Sequence, residues 1–220
     1  MKRLFPFLFA LLPGQLLACD LALVLAVDVS GSVDSREYRT QMDGLAAGLR
    51  DGQVVDALVD QRAKVTLIQW SGSSRQRQTL EWRQMAQAGD VYAMAQAIEE
   101  DPRVWRNFST AIGEAIGLSL EVLTQVPECR RMVIDVSGDG VSNEGVLPEA
   151  HRAALRVRDI TVNALAIETD DEDLTAWFFE NLIHGEGAFV ITAGGFEDYP
   201  DKIRRKLQRE TTRQISLMNQ

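Results

Sequence analysis

The chain has 220 residues, 45% hydrophobic and 25% charged, which suits one globular α/β domain and leaves little room for a second. Its 32 Asp+Glu against 23 Lys+Arg give a net charge of −9, and no run of basic residues offsets it, which argues against nucleic acid or anionic lipid as a partner.

Residues 1–18 read as a signal peptide, because Lys2 and Arg3 lead an apolar run from Leu4 to Leu12 that is followed by Pro13, Gly14 and the small Ala18. The run is far shorter than the roughly 20 residues a spanning helix needs, so no membrane span is expected. The domain is then 19–220, an exported, periplasmic or secreted unit whose net charge moves from −9 to −11 once Lys2 and Arg3 are removed. Two readings stand for Cys19. The run Leu16-Leu17-Ala18-Cys19 reads as a lipoprotein processing site that would anchor the chain through an acylated thiol, whereas an oxidising compartment favours a disulfide with Cys129, the other cysteine.

Short, nearly continuous apolar runs follow at Leu21–Val29, Val65–Trp70, Met132–Val136, Ile160–Ile167 and Ala188–Ile191. Runs apolar on both faces predict strands of a parallel sheet covered on both sides. Between them, helices are predicted over Ser35–Arg50, Val91–Glu100, Ala111–Leu123, Pro148–Arg158, Glu172–Ile183 and Tyr199–Leu217, in β-α-β alternation. Gln76–Leu80 comes directly after the turn Ser71-Gly72-Ser73-Ser74 and reads as an antiparallel hairpin partner of the preceding strand. The predicted fold is α/β, a doubly wound, mostly parallel six-stranded sheet with one antiparallel edge strand and helices on both faces. Asp34 or Ser35 caps the first helix, Pro148 suits a first helical turn, and Gly185 follows a helix end.

An open sheet of this kind binds ligands beyond the carboxyl ends of its strands, where the strand order reverses. The first strand ends in Asp28-Val29-Ser30-Gly31-Ser32, three side-chain oxygens at alternate positions around a glycine that lets the chain turn. The strand over Met132–Val136 runs into Ser137-Gly138-Asp139-Gly140, a second carboxylate at the equivalent edge. Ser109-Thr110-Ala111-Ile112-Gly113 opens a helix between them, with the Thr110 hydroxyl at its start. All five side chains, Asp28, Ser30, Ser32, Thr110 and Asp139, offer hard oxygens and no nitrogen or sulfur. That donor set suits Mg²⁺ first, with Mn²⁺ or Ca²⁺ as alternatives, and disfavours zinc.

In this order the three motifs resemble the metal-ion-dependent adhesion site of von Willebrand factor type A domains, and the wording Leu-Ala-Val-Asp-Val-Ser-Gly-Ser-Val-Asp and Val-Ile-Asp-Val-Ser-Gly-Asp-Gly further resembles a group of exported proteobacterial A-domain proteins. The resemblance covers essentially residues 19–220. It implies a Rossmann-like fold and a divalent ion held largely by neutral hydroxyls, with one or both aspartates acting through water, so that the ion grips a carboxylate presented by a protein partner. One departure from the pattern is Gly138, where such domains usually carry threonine.

Other chemistries fit less well. A phosphotransferase or hydrolase using Asp28 as nucleophile would resemble haloacid-dehalogenase-like enzymes, which typically have a second aspartate two residues later and a downstream lysine, but position 30 is serine and the lysines after residue 18 are Lys64, Lys202 and Lys206. A Ser-His-Asp hydrolase would need His151 or His184 near Ser30 or Ser32, and the Gly-x-Ser-x-Gly elbow is missing. A role as an assembly subunit of a larger complex stays open beside adhesion. Asp135 and Asn163 are polar residues inside predicted strands, each expected to need a partner and neither counted as a metal ligand.

The disulfide reading of Cys19 has a geometric basis. Cys19 lies nine residues before Asp28 and Cys129 ten before Asp139; if both aspartates end adjacent parallel strands, the cysteines meet at the opposite edge with a one-residue mismatch.

Overall fold

The computed structural model describes residues 19–169 and 173–212. The predicted signal peptide, the last predicted helix beyond Thr212 and the first residue of the helix expected from Glu172 lie outside them.

The first strand, β1 (Cys19–Asp28), is buried on both faces because its residues alternate between two cores. Leu21, Leu23, Leu25 and Val27 enter one; Ala22, Val24 and Ala26 enter the other. The remaining strands are β2 (Lys64–Trp70), β3 (Gln76–Gln84), β4 (Cys129–Gly138), β5 (Ile160–Ile167) and β6 (Val190–Ala193), and the sheet runs β3-β2-β1-β4-β5-β6. Only β3 is antiparallel, pairing with β2 as the hairpin edge the sequence predicts. Strand order reverses between β1 and β4, so the ends of these two strands flank the crevice of the doubly wound sheet.

Seven helices cover the sheet among the described residues: α1 (Ser35–Leu49), α2 (Gly52–Asp60), α3 (Ala88–Glu100), α4 (Ile112–Val122), α5 (Arg152–Val157), α6 (Leu174–Asn181) and α7 (Tyr199–Thr211). Helices α1, α2, α3 and α7 pack over the first core, and α4, α5 and α6 over the second. Asp34 starts α1 in a capping box: its carboxylate accepts from the backbone N–H of Arg36 (2.7 Å) and Glu37 (2.8 Å), while Glu37 Oε2 accepts from Asp34 N–H (2.6 Å). Gly44 and Gly48 let α1 sit directly on α7, since a Cβ at Gly48 would fall 2.9 Å from Leu207 Cδ1.

Helix α2 is absent from the sequence reading. Its signal was present, because Asp51 caps Gln53 and Val54 N–H (3.0 and 3.4 Å) and Val54, Val55 and Leu58 form a short apolar face. The helix predicted from Pro148 opens instead as a 3-10 turn, Pro148–His151, and becomes α-helical at Arg152.

Cys19 and Cys129 face each other in the β1–β4 register and are disulfide-bonded, with Cα atoms 4.5 Å apart. The one-residue mismatch falls at the other end: Val27 pairs with Ser137, which leaves Asp139 one residue beyond the level of Asp28.

Candidate metal centre

Asp28 ends β1 fully buried, with Oδ1 accepting the Ser30 backbone N–H at 2.7 Å. Its Oδ2 is buried and has no hydrogen-bond partner. The chain then turns through Gly31, whose N–H donates to the Phe108 carbonyl at 2.7 Å and where a Cβ would lie 3.2 Å from that oxygen. The turn places the Ser30 and Ser32 hydroxyls 3.2 Å apart, and the Ser32 hydroxyl donates to Asp139 Oδ1 at 2.7 Å. Thr110 stands beside them, since a Cβ at Gly140 would lie 3.8 Å from its Oγ1. The five residues singled out in the sequence therefore meet at one edge of the sheet.

Thr110 is held by a reciprocal clip. Its N–H donates to Asn143 Oδ1 (2.9 Å) and its carbonyl accepts from the N–H groups of Asn143 (2.9 Å) and Glu144 (3.3 Å). Gly113 makes the clip fit, because a Cβ there would fall 2.0 Å from the Val146 carbonyl oxygen. Gly138 is explained in the same way: a Cβ would lie 3.1 Å from Asp28 Oδ2 and 3.4 Å from the Trp70 ring, so a side chain at this position would crowd the unpartnered oxygen.

Burial and, next, the facing Asp139 push the Asp28 carboxyl up to about 8, and burial raises Asp139 as well. Two carboxyls raised in this way and one carboxylate oxygen without a donor are what a divalent cation would relieve. Oxygen donors from two carboxylates and three hydroxyls fit a hard divalent ion. Among the described residues no group of three His, Cys, Asp or Glu side chains is placed to hold a metal ion.

Three supporting residues escaped the sequence reading. Arg103 Nη2 donates to the carbonyls of Val29 (3.0 Å) and Ser30 (2.8 Å), Gln41 Nε2 to the carbonyl of Asp28 (3.2 Å), and Asn143 forms the clip above. Gln41 had a signal, as a polar residue on the face of α1 that buries Tyr38, Met42 and Leu45. Arg103 and Asn143 lie in irregular segments where no periodicity marks them.

Asp135 lies away from this edge. It is buried against the side of α7 in an ion pair with Lys206, which also pairs with Glu210 at 2.7 Å. Burial and then Asp135 push Glu210 up to about 8. Asn163 Oδ1 accepts the Phe189 N–H at 3.1 Å, a local role. The serines of the site have no histidine among their hydrogen-bond partners: His151 packs beside Gly117 of α4, and the His184 backbone bridges Val162. Lys64 pairs with Glu128, Lys202 with Asp198 and Lys206 with Asp135, so among the described residues no lysine attends Asp28.

A model of the family described as "Protein of unknown function (DUF1194)" matches residues 18–215. The chain belongs to that family. Its fold is that of von Willebrand A domains. Proximal thread matrix protein 1 from the mussel byssus, solved with a zinc-occupied MIDAS motif, matches with a TM-score of 0.66 at 17% identity over 88% of this chain and 46% of that one. A von Willebrand factor type A protein from Catenulispora acidiphila matches at 0.58 and 20% identity over 88% and 42%, and the pilus adhesin SpaC from Lactobacillus rhamnosus GG, in its open conformation, at 0.65 and 14% over 88% and 30%. The DUF1194 chain thus spans less than half the length of these structures. No curated protein matches it. Among the described residues no helix is long and apolar enough to cross a membrane.

Proposed function

We propose that this DUF1194 chain is a metal-dependent protein-binding module of the bacterial envelope, exported by residues 1–18, in which Asp28, Ser30, Ser32, Thr110 and Asp139 hold a divalent ion that grips a partner's Asp or Glu carboxylate. The observation that carries the reading is Asp28 Oδ2, buried without a donor beside two serine hydroxyls and a second carboxylate. The zinc in the mussel protein's motif supports a divalent ion in general terms. The oxygen-only donor set leads us to Mg²⁺ first, with Mn²⁺ and Ca²⁺ next.

When bound, the ion would supply an electrophilic position for an incoming carboxylate. The chain's own residues do the rest: the Gly31 turn aims the serine hydroxyls, the Asn143 clip fixes Thr110, and Arg103 and Gln41 tie down the carbonyls of the Asp28–Ser30 turn. Adhesion or envelope assembly both use such a grip. The test is capture of envelope proteins on the immobilised chain in Mg²⁺ and in EDTA. Capture should need the metal and weaken at least tenfold in Thr110→Ala, with no turnover of model esters or phosphate esters. Metal-dependent hydrolysis that disappears in Asp28→Asn would replace binding by catalysis.

A further inference from the structure

Four arginines from two separate segments converge on one flank of the metal edge. Arg75 and Arg77 belong to the β2–β3 hairpin, and Arg103 and Arg106 to the segment between α3 and α4. In the sequence they form no basic run.

The flank adjoins the site directly. Phe108 supplies the carbonyl that holds Gly31, and the Arg75 guanidinium lies 3.7 Å from the centre of the Phe108 ring. Arg77 lies 5.5 Å from the Trp105 ring, and Arg103 is bonded to the carbonyls of Val29 and Ser30. Arg103 also lies within electrostatic reach of Arg106.

Gathering like charges costs free energy, and carboxylates normally relieve it. Here none of the four makes an ion pair among the described residues, although Arg36, Arg39, Arg50, Arg204 and Arg205 elsewhere all do. Of the acids nearby, Asp28, Asp34 and Asp139 lie within electrostatic reach of Arg103, and two others beside the flank are hydrogen-bonded to other groups. Glu144 feels the charge of Arg75 but accepts from the Ser73 N–H, and buried Asp101 accepts from Gln69 and Thr79. Phe108 and Trp105 hold two guanidiniums in place; Arg75 Nη1 donates to the Ser73 carbonyl at 3.3 Å, and its other donors and those of Arg77 can take a carboxylate.

We infer that this flank receives an acidic segment of the partner protein, whose leading carboxylate sits on the metal and whose following acids pair with Arg75, Arg77 and Arg106. The inference rests on the metal-gripping reading above. Its spacing follows from the sheet. Two strand separations of about 4.8 Å put β3 roughly 10 Å from the end of β1, the reach of three extended residues at about 3.3 Å each. The second acid thus lies about three positions after the first. Beyond the flank the chain, at net −9, repels a long polyanion, which favours a short acidic segment over a nucleic acid or sulfated glycan.

The test uses two fluorescent nonapeptides with the purified chain, one with a single Asp and one with a further Glu three residues later and another beside it. In Mg²⁺ the acidic peptide should bind more tightly and lose affinity as salt rises. In the Arg77→Glu, Arg106→Glu double variant its affinity should fall at least tenfold more than that of the single-Asp peptide. Equal falls, or no binding of the acidic peptide at millimolar concentration, would overturn the inference. Binding lost in EDTA but unchanged in the variant keeps the metal and refutes the flank. Binding that survives EDTA but falls in the variant keeps the flank and refutes the metal. Dextran sulfate binding as tightly, with the same loss in the variant, would refute the assignment to a protein segment.

Discussion

Asp28 has one oxygen satisfied by the Ser30 N–H and one left without a donor, and every residue around it limits what can fill that gap. Gly138 is among the strictest. Ala at this position would bring a Cβ within 3.1 Å of the unpartnered oxygen, so Gly138→Ala should destabilise the chain by about 1–3 kcal/mol, as overpacking does, and blunt any metal response. Thermal unfolding with and without Mg²⁺ checks both. A variant as stable and as responsive as wild type would show that the edge is roomier than the structure indicates. At this scale the sequence was highly legible. The five proposed oxygen ligands are short side chains at strand ends and a helix start, where spacing and order single them out. Gly138 was legible as a departure from the family pattern, but its reason, the Trp70 ring and the Asp28 carboxylate closing over it, exists only in three dimensions.

Among the elements, α4 and α7 carry the clearest consequences. The start of α4 is clamped under the loop after β4, with Gly113 against the Val146 carbonyl. Gly113→Ala should therefore push the loop outward, cost about 1–3 kcal/mol and weaken metal binding through Thr110, which a calorimetric titration of the variant would measure. Helix α7 is fastened by Lys206 between Asp135 and Glu210. Glu210 is raised from its ordinary 4.5 to about 8, so its stabilising contribution is complete below 4.5 and is lost as pH climbs through about 8, where the folded chain must give up the proton the unfolded chain has already released. Melting at a series of pH values from 5 to 9 should show wild type losing more stability than Glu210→Gln; parallel curves would refute this assignment. Strand positions were read well because doubly buried strands are continuous apolar runs. Helix α2 was missed because it is short and follows α1 almost without a break, and the ion pairs of α7 were missed because no sequence pattern announces which strand a buried lysine will meet.

The whole molecule is a sheet whose two central strands are joined at one end by the Cys19–Cys129 bond and run at the other into the proposed metal edge. The bridge links positions 110 residues apart, so Cys129→Ser should cost about 2–5 kcal/mol. Intact mass of the protein isolated from its native cells separates the two readings of Cys19: a chain starting at Cys19 and two hydrogens light carries the bridge, and a diacylglycerol adduct on Cys19 excludes it. The most direct test of the metal reading itself is the melting temperature of the purified chain in EDTA and across a Mg²⁺ titration, for wild type and Asp28→Ala. At 100 times its dissociation constant Mg²⁺ should stabilise wild type by about 2.7 kcal/mol and leave Asp28→Ala unmoved; equal stabilisation of both, or of neither, would contradict a metal site built on Asp28.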